Sequence, residues 1–134
     1  MKKLWLAVIL LFFVWDAAWW LLGVKPLFPW QLNRQLRSAQ ADLFLLDVRT
    51  PMEFAWFHLP EALNLPDALD KGKMALLPKE RQLVVICMTG HRSPLVAYAL
   101  KGQGFNRVYN LTWGMMGWKI YKLFSPIFGA GSSV

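Results

Sequence analysis

The sequence predicts an α/β fold: a parallel sheet with helices on both faces, preceded by one N-terminal transmembrane helix. Three observations predict it. Residues 43–48, interrupted only by Asp47, and 83–87 are apolar runs of strand length, the pattern of strands buried on both faces. Helix starts with their own capping residues follow each run, so strands and helices alternate as they do in parallel sheets. Finally, Leu4–Val24 is apolar except for Asp16. Its 21 residues would span about 31 Å as a helix at ~1.5 Å per residue, enough for a hydrocarbon core of ~30 Å.

Taken in order, Lys2-Lys3 precedes the apolar run, and Trp19, Trp20 and Trp30 have the character of interfacial aromatics. A cleaved secretory signal competes with a retained anchor. No A-x-A-like cleavage site follows the apolar core, because Asp16 stands where a small residue is wanted, so the anchor is the expectation. Residues 1–25 are therefore read as a single-pass anchor in a bacterial-type inner membrane. The short basic start leans toward a domain on the periplasmic, outer side. Asp16 is expected near an interface rather than at a functional intramembrane site.

Pro26 and Pro29 predict a short linker, and the domain is expected over 26–123. Trp30, Leu32, Leu36 and Ala39 recur at helical spacing, which predicts a short amphipathic helix. After the 43–48 strand, Thr50-Pro51-Met52-Glu53 has the pattern of a capping box with proline in the first turn. That helix ends near Phe57-His58. A brief strand is expected at 62–66, and a weak helix over about 67–77. The second buried strand ends at Cys87. Ser93 as N-cap and Pro94 then begin a helix running to about Lys101. A third strand is expected at 107–111 and a last helix from Gly114 to about Leu123. A flexible tail, 124–134, completes the chain.

The chain has 134 residues and a net charge of +7, of which +6 falls from Lys25 onward. That is one ordinary core plus an anchor. The basic residues are scattered, so small anions or anionic lipid fit better than nucleic acid. One cysteine and two separated histidines exclude an intramolecular disulfide and a Cys-rich zinc site. No metal and no cofactor are expected.

The chemistry concentrates at Cys87-Met88-Thr89-Gly90-His91-Arg92-Ser93. In open parallel sheets, sites form beyond the carboxyl ends of strands, where this cysteine stands. Backbone N–H groups, a helix N-terminus and Arg92 would each favour thiolate over thiol. The glycine lets the backbone turn tightly. The expected substrate is a small anion or an electrophilic sulfur or phosphorus centre. The bland alternative is a buried strand-end cysteine beside a solvated arginine.

The pattern Cys-x-x-Gly-x-Arg-Ser after Val84-Val85-Ile86 resembles the active-site loop of single-domain rhodanese-like sulfurtransferases. The resemblance extends to Leu46-Asp47-Val48-Arg49-Thr50-Pro51-x-Glu53-Phe54 and to His58-Leu59-Pro60-x-Ala62-x-Asn64-Leu65-Pro66. It continues through Gly104-Phe105-x-x-Val108-Tyr109-x-Leu111, with Gly114 and Trp118. Together these cover about residues 27–122. The sequence departs from the family pattern where Phe57 and Glu61 replace usual glycines, and where Trp113-Gly114 replaces a glycine pair.

The resemblance implies that Cys87 carries a transient persulfide. It would take sulfur from a small anionic donor such as thiosulfate and pass it to a thiol or other thiophilic acceptor. It also implies substrate binding by Met88, Thr89, Gly90, His91, Arg92 and Ser93, with Asp47, Arg49 and His58 in supporting roles. Phosphatases and arsenate reductases of this fold place five residues between cysteine and arginine. The four here (Met88 to His91) suit sulfur better than phosphate. A non-catalytic, membrane-tethered binding module is the other alternative. Expected partners are the sulfur donor, the acceptor and the lipid bilayer.

Overall fold

A computed structural model describes residues 1–38 and 41–128. Its elements are α1 (Lys2–Leu21), β1 (Lys25–Leu27), α2 (Pro29–Leu36), β2 (Leu43–Asp47), α3 (Pro51–Trp56), β3 (Leu63–Asn64), α4 (Lys71–Met74), β4 (Gln82–Ile86), α5 (Ser93–Gly102), β5 (Val108–Leu111) and α6 (Gly114–Phe128). The five strands form one sheet in the order β1-β5-β4-β2-β3, and every pairing is parallel.

The unbroken apolar runs are explained by β4, whose two faces are both covered. Leu83, Val85 and Cys87 enter one core with Leu46, Ala97, Leu100 and Phe105, under α5. Val84 and Ile86 enter the other with Leu32, Leu59, Leu111 and Met115, under α2 and α6. The register sets Leu46 beside Val85 and Asp47 beside Ile86, so β2 and β4 end side by side.

Several elements differ from the sequence expectation. The linker at Pro26 is an edge strand, β1, paired only with β5. An edge position tolerates proline because one side of the strand needs no donor. In α2 only Leu32 and Pro29 are buried, while Trp30 and Leu36 are exposed, so the apolar spacing overstated the inward face. Ala39 lies outside the described residues. The weak helix shrinks to four residues held by the Asp70 side chain, which accepts from the Gly72 and Lys73 N–H groups. At the other end α6 passes Leu123 and carries Pro126 within it. Thus 124–128 are helical rather than tail, and 129–134 lie outside the described residues.

The expected helix starts are largely in place. Thr50 accepts from the Glu53 N–H at 3.2 Å, and Glu53 Oε2 accepts from the Thr50 N–H at 2.9 Å. None of the 20 residues of α1 is buried. By length and composition it is apolar enough to cross a membrane. Its last turns touch the domain through aromatic edges: Phe12 on His91 at 4.8 Å and Trp19 on Tyr98 at 6.0 Å between ring centroids.

Candidate active site

Cys87 follows β4 directly, and its side chain is fully buried at the base of the loop. Two groups point at the sulfur. The Gly90 N–H donates to Sγ at 3.1 Å, and Ser93 Oγ lies 3.2 Å from it. Thr89 and Arg92 are the exposed members of the loop.

Two glycines hold this loop shut. Gly90 has φ +84°, and a Cβ there would stand 2.7 Å from the Trp113 backbone nitrogen. Gly114 has φ +58°, and a Cβ would stand 2.5 Å from the Cys87 carbonyl oxygen. The first turn of α6 therefore lies directly against the loop. Its Met115 and Met116 N–H groups donate to the Cys87 and Met88 carbonyls, each at 2.9 Å. The helix start thus satisfies loop carbonyls that would otherwise be orphaned.

Ser93 is not the N-cap of α5; Arg92 occupies that position. The Ser93 side chain is buried, and its hydroxyl lies between Cys87 Sγ and Asn110 Oδ1. A hydroxyl has one proton and can also accept. With a thiol, the sulfur proton reaches Ser93 Oγ while the hydroxyl donates to Asn110. With a thiolate, the hydroxyl turns to the sulfur. Asn110, at 6% exposure on β5, was not singled out from the sequence. Its only sequence signal is an amide inside an apolar strand.

Arg92 faces the other side of the loop. Its guanidinium meets the Glu53 carboxylate at 2.8 Å and is within electrostatic reach of Cys87. The hydrogen bond from Arg92 holds Glu53 well below the usual carboxylate range, at about 2, and Glu53 in turn raises the pKa of Arg92. Glu53 was legible as a helix cap, but its second partner across 39 residues was not.

The supporting residues occupy a separate level. Asp47 and Arg49 are both fully buried. Asp47 accepts from the Arg49 backbone N–H at 3.0 Å, from Nε at 3.0 Å and from Nη2 at 2.8 Å. The guanidinium also donates to the Glu53 and Phe57 carbonyls, at 3.1 and 2.6 Å. This pair braces the β2–α3 connection, and Glu53, whose carbonyl accepts from Arg49, also pairs with Arg92 of the cysteine loop. His58 stacks on Phe54 at 3.9 Å, and its Nδ1 bonds the Phe54 carbonyl, apart from the loop. His91 bonds Thr89 Oγ1 at 2.9 Å and turns its ring toward α1.

The departures from the family pattern have a backbone explanation. Glu61 and Trp113 are the two non-glycine residues at positive φ among those described, at 65° and 63°. Phe57 has φ −169°, extended backbone open to any residue. Its ring instead receives the Arg49 and Lys119 cations at 5.2 and 4.0 Å.

Beside the loop, a cleft of about 510 Å³ opens between α1, α2 and α6. Phe12, Trp30, Trp113 and Ile120 are among its walls, and Thr89 and His91 bring the loop to it.

Residues 29–121 match the rhodanese-like domain family. A sulfurtransferase of Allochromatium vinosum is 42% identical over 92 residues, covering 69% of this chain and 85% of the relative. A thiosulfate sulfurtransferase, GlpE, of Pseudomonas syringae pv. syringae is 33% identical over 75 residues, covering 56% of this chain and 71% of that protein. The crystal structure of a rhodanese-like domain protein from Staphylococcus aureus superposes with a TM-score of 0.63 at 26% identity, covering 71% of this chain and 91% of that one.

Proposed function

The chain belongs to the rhodanese-like domain family, and from that premise we propose that it is a sulfurtransferase whose sulfur is carried on Cys87. The observation that carries this reading is the pair of donors on one buried sulfur, the Gly90 N–H and the Ser93 hydroxyl. Hydrogen bonds to an ionised acceptor are roughly twice as strong as neutral ones, so both favour thiolate and persulfide anion.

The donor reaction balances with thiosulfate. The Cys87 thiolate attacks the outer sulfur, the S–S bond of thiosulfate breaks, and sulfite leaves with the electron pair. Cys87 then bears a persulfide anion. Arg92, exposed at the lip of the loop, would meet the anionic end of the donor and would have to share itself with Glu53 to do so. A thiophilic acceptor next attacks the outer sulfur and returns Cys87 to thiolate. The name of the Pseudomonas relative supports thiosulfate as the donor.

The test is sulfite release. The full-length protein given thiosulfate and a thiol acceptor should release sulfite continuously, and Cys87→Ser should release none above the uncatalysed rate. Equal release by Cys87→Ser would contradict the reading. If partner binding were unchanged in Cys87→Ala and no sulfur moved, the domain would be a binding module instead.

The apolar α1, none of whose residues is buried, supports a role as membrane anchor, and we infer an outer-side domain from the short basic start alone. A topology reporter fused after Val134 should be active outside the cytoplasm, on a protein that stays with membranes at alkaline pH. Release of the protein into the soluble fraction would point to a cleaved signal.

A further inference from the structure

We propose that the cleft between α1 and α6 binds the apolar body of a lipophilic thiol, which is the acceptor of the Cys87 sulfur. This rests on the sulfurtransferase reading and names the class of its second substrate. Four observations support it.

The cleft has the size of a small-molecule site, about 510 Å³ against a usual span of about 300–1,000 Å³. Its walls are aromatic and aliphatic: Phe12 from α1, Trp30 from α2, Trp113, Ile120 and Phe124 from the α6 side. The wall is unfinished in water, since Trp30, Trp113, Ile120 and Phe124 are each 43–54% exposed. A contiguous apolar surface of this kind calls for an apolar ligand.

The cleft also leads to the chemistry. Thr89 and His91, two of the four residues between Cys87 and Arg92, are part of its lining. By contrast Arg92, the group suited to an anion, points away to Glu53 and is not part of the lining. Anionic donor and apolar acceptor are thereby separated onto two sides of one loop. The last observation is the origin of the Phe12 wall. It stands on α1, the apolar helix none of whose residues is buried, so the cleft continues into an apolar surface of the kind that faces lipid.

The transfer balances without an added oxidant or reductant. The acceptor R–SH reacts as its thiolate at the outer sulfur of the Cys87 persulfide, forming an R–S–S bond. The bond from that sulfur to Cys87 breaks, and its pair stays on Cys87. The acceptor's proton ends on the new R–S–SH.

The experiment uses the full-length protein in detergent micelles, loaded on Cys87 with thiosulfate and freed of excess donor. Discharge of the persulfide is followed with decane-1-thiol and with 2-mercaptoethanol, for the parent and for Ile120→Asp. Ile120 is 54% exposed, so the change leaves the core intact. A charge in the cleft should slow decane-1-thiol by roughly tenfold or more and leave 2-mercaptoethanol within about twofold. Phe124→Asp should do the same. If both thiols discharge the parent and the variants with the same ratio, the inference is overturned. It is also overturned if decane-1-thiol binds saturably yet discharges no faster than 2-mercaptoethanol, which would make the cleft a seat for lipid chains. Failure to load Cys87 at all would contradict the sulfurtransferase reading itself, a distinct result seen before any acceptor is added.

Discussion

The adjacent strands β2 and β4 are both five residues long, each apolar but for one residue, and paired along their whole length, yet their carboxyl ends are built for opposite purposes. β2 ends in Asp47, whose carboxylate is saturated by Arg49, while the spare guanidinium donors go to two backbone carbonyls. β4 leads to Cys87, whose sulfur receives two donors among the described residues, one of them a hydroxyl with another partner available. Burial is complete in both cases. The difference teaches that burial does not distinguish a structural polar group from a reactive one; the degree to which its bonding is already satisfied does.

The largest effect is expected on the saturated side. Arg49→Ala leaves the buried Asp47 carboxylate without its counter-charge, holding only the backbone N–H of residue 49, and should cost about 3–5 kcal/mol of stability. Thermal unfolding of the full-length protein reads this. A loss below about 1 kcal/mol would mean water reaches Asp47 and the end of β2 is not closed.

On the open side, Ser93→Ala removes one hydrogen bond from a charged sulfur, worth about 1.5–3 kcal/mol, and should slow sulfur uptake roughly tenfold or more. Because Ser93 faces the sulfur and not the donor, anionic and neutral sulfane donors should lose equally. Arg92→Ala should instead penalise the anionic donor more. A donor-dependent loss in Ser93→Ala would erase the distinction between the two residues.

A smaller effect concerns the bridge that joins the two strand ends. Glu53 has its pKa lowered to about 2 by Arg92, so its folded value lies below the unfolded one near 4.5. The stabilisation is therefore present above about pH 4.5 and lost as pH falls toward about 2. The stability gap between the parent and Glu53→Gln should be widest above pH 4.5 and close in that window. A gap independent of pH would contradict a Glu53 carboxylate held ionised by Arg92 and Thr50.

The smallest effect tests a turn away from both ends. Glu61 is exposed at φ 65°, and Glu61→Gly should relieve left-handed strain of about 1 kcal/mol, partly offset by unfolded-chain entropy. A net gain of a few tenths in stability is expected from denaturant midpoints. A clear loss would show that the Glu61 side chain makes a contact that holds the turn.

Much of this architecture is legible in the sequence because it is local. The capping box at Thr50–Glu53, the doubly buried strands and the cysteine loop each lie within a dozen residues. What escaped is what tertiary pairing decides. Pro26 reads as a break, and only the free edge of β5 turns it into a strand. Ser93 reads as a cap, while the fold sets its hydroxyl between the Cys87 sulfur and Asn110, 17 residues on. Arg92 reads as a free cation, while Glu53 lies 39 residues away in the chain. The cleft was invisible, because its walls come from both ends of the molecule.

The most direct measurement is the mass of the cysteine itself. After brief exposure of the full-length protein to thiosulfate, the peptide containing Cys87 should gain one sulfur atom, and lose it on addition of a thiol. No gain with thiosulfate or with any other sulfane donor, or an equal gain in Cys87→Ser, would contradict a sulfur-carrying Cys87.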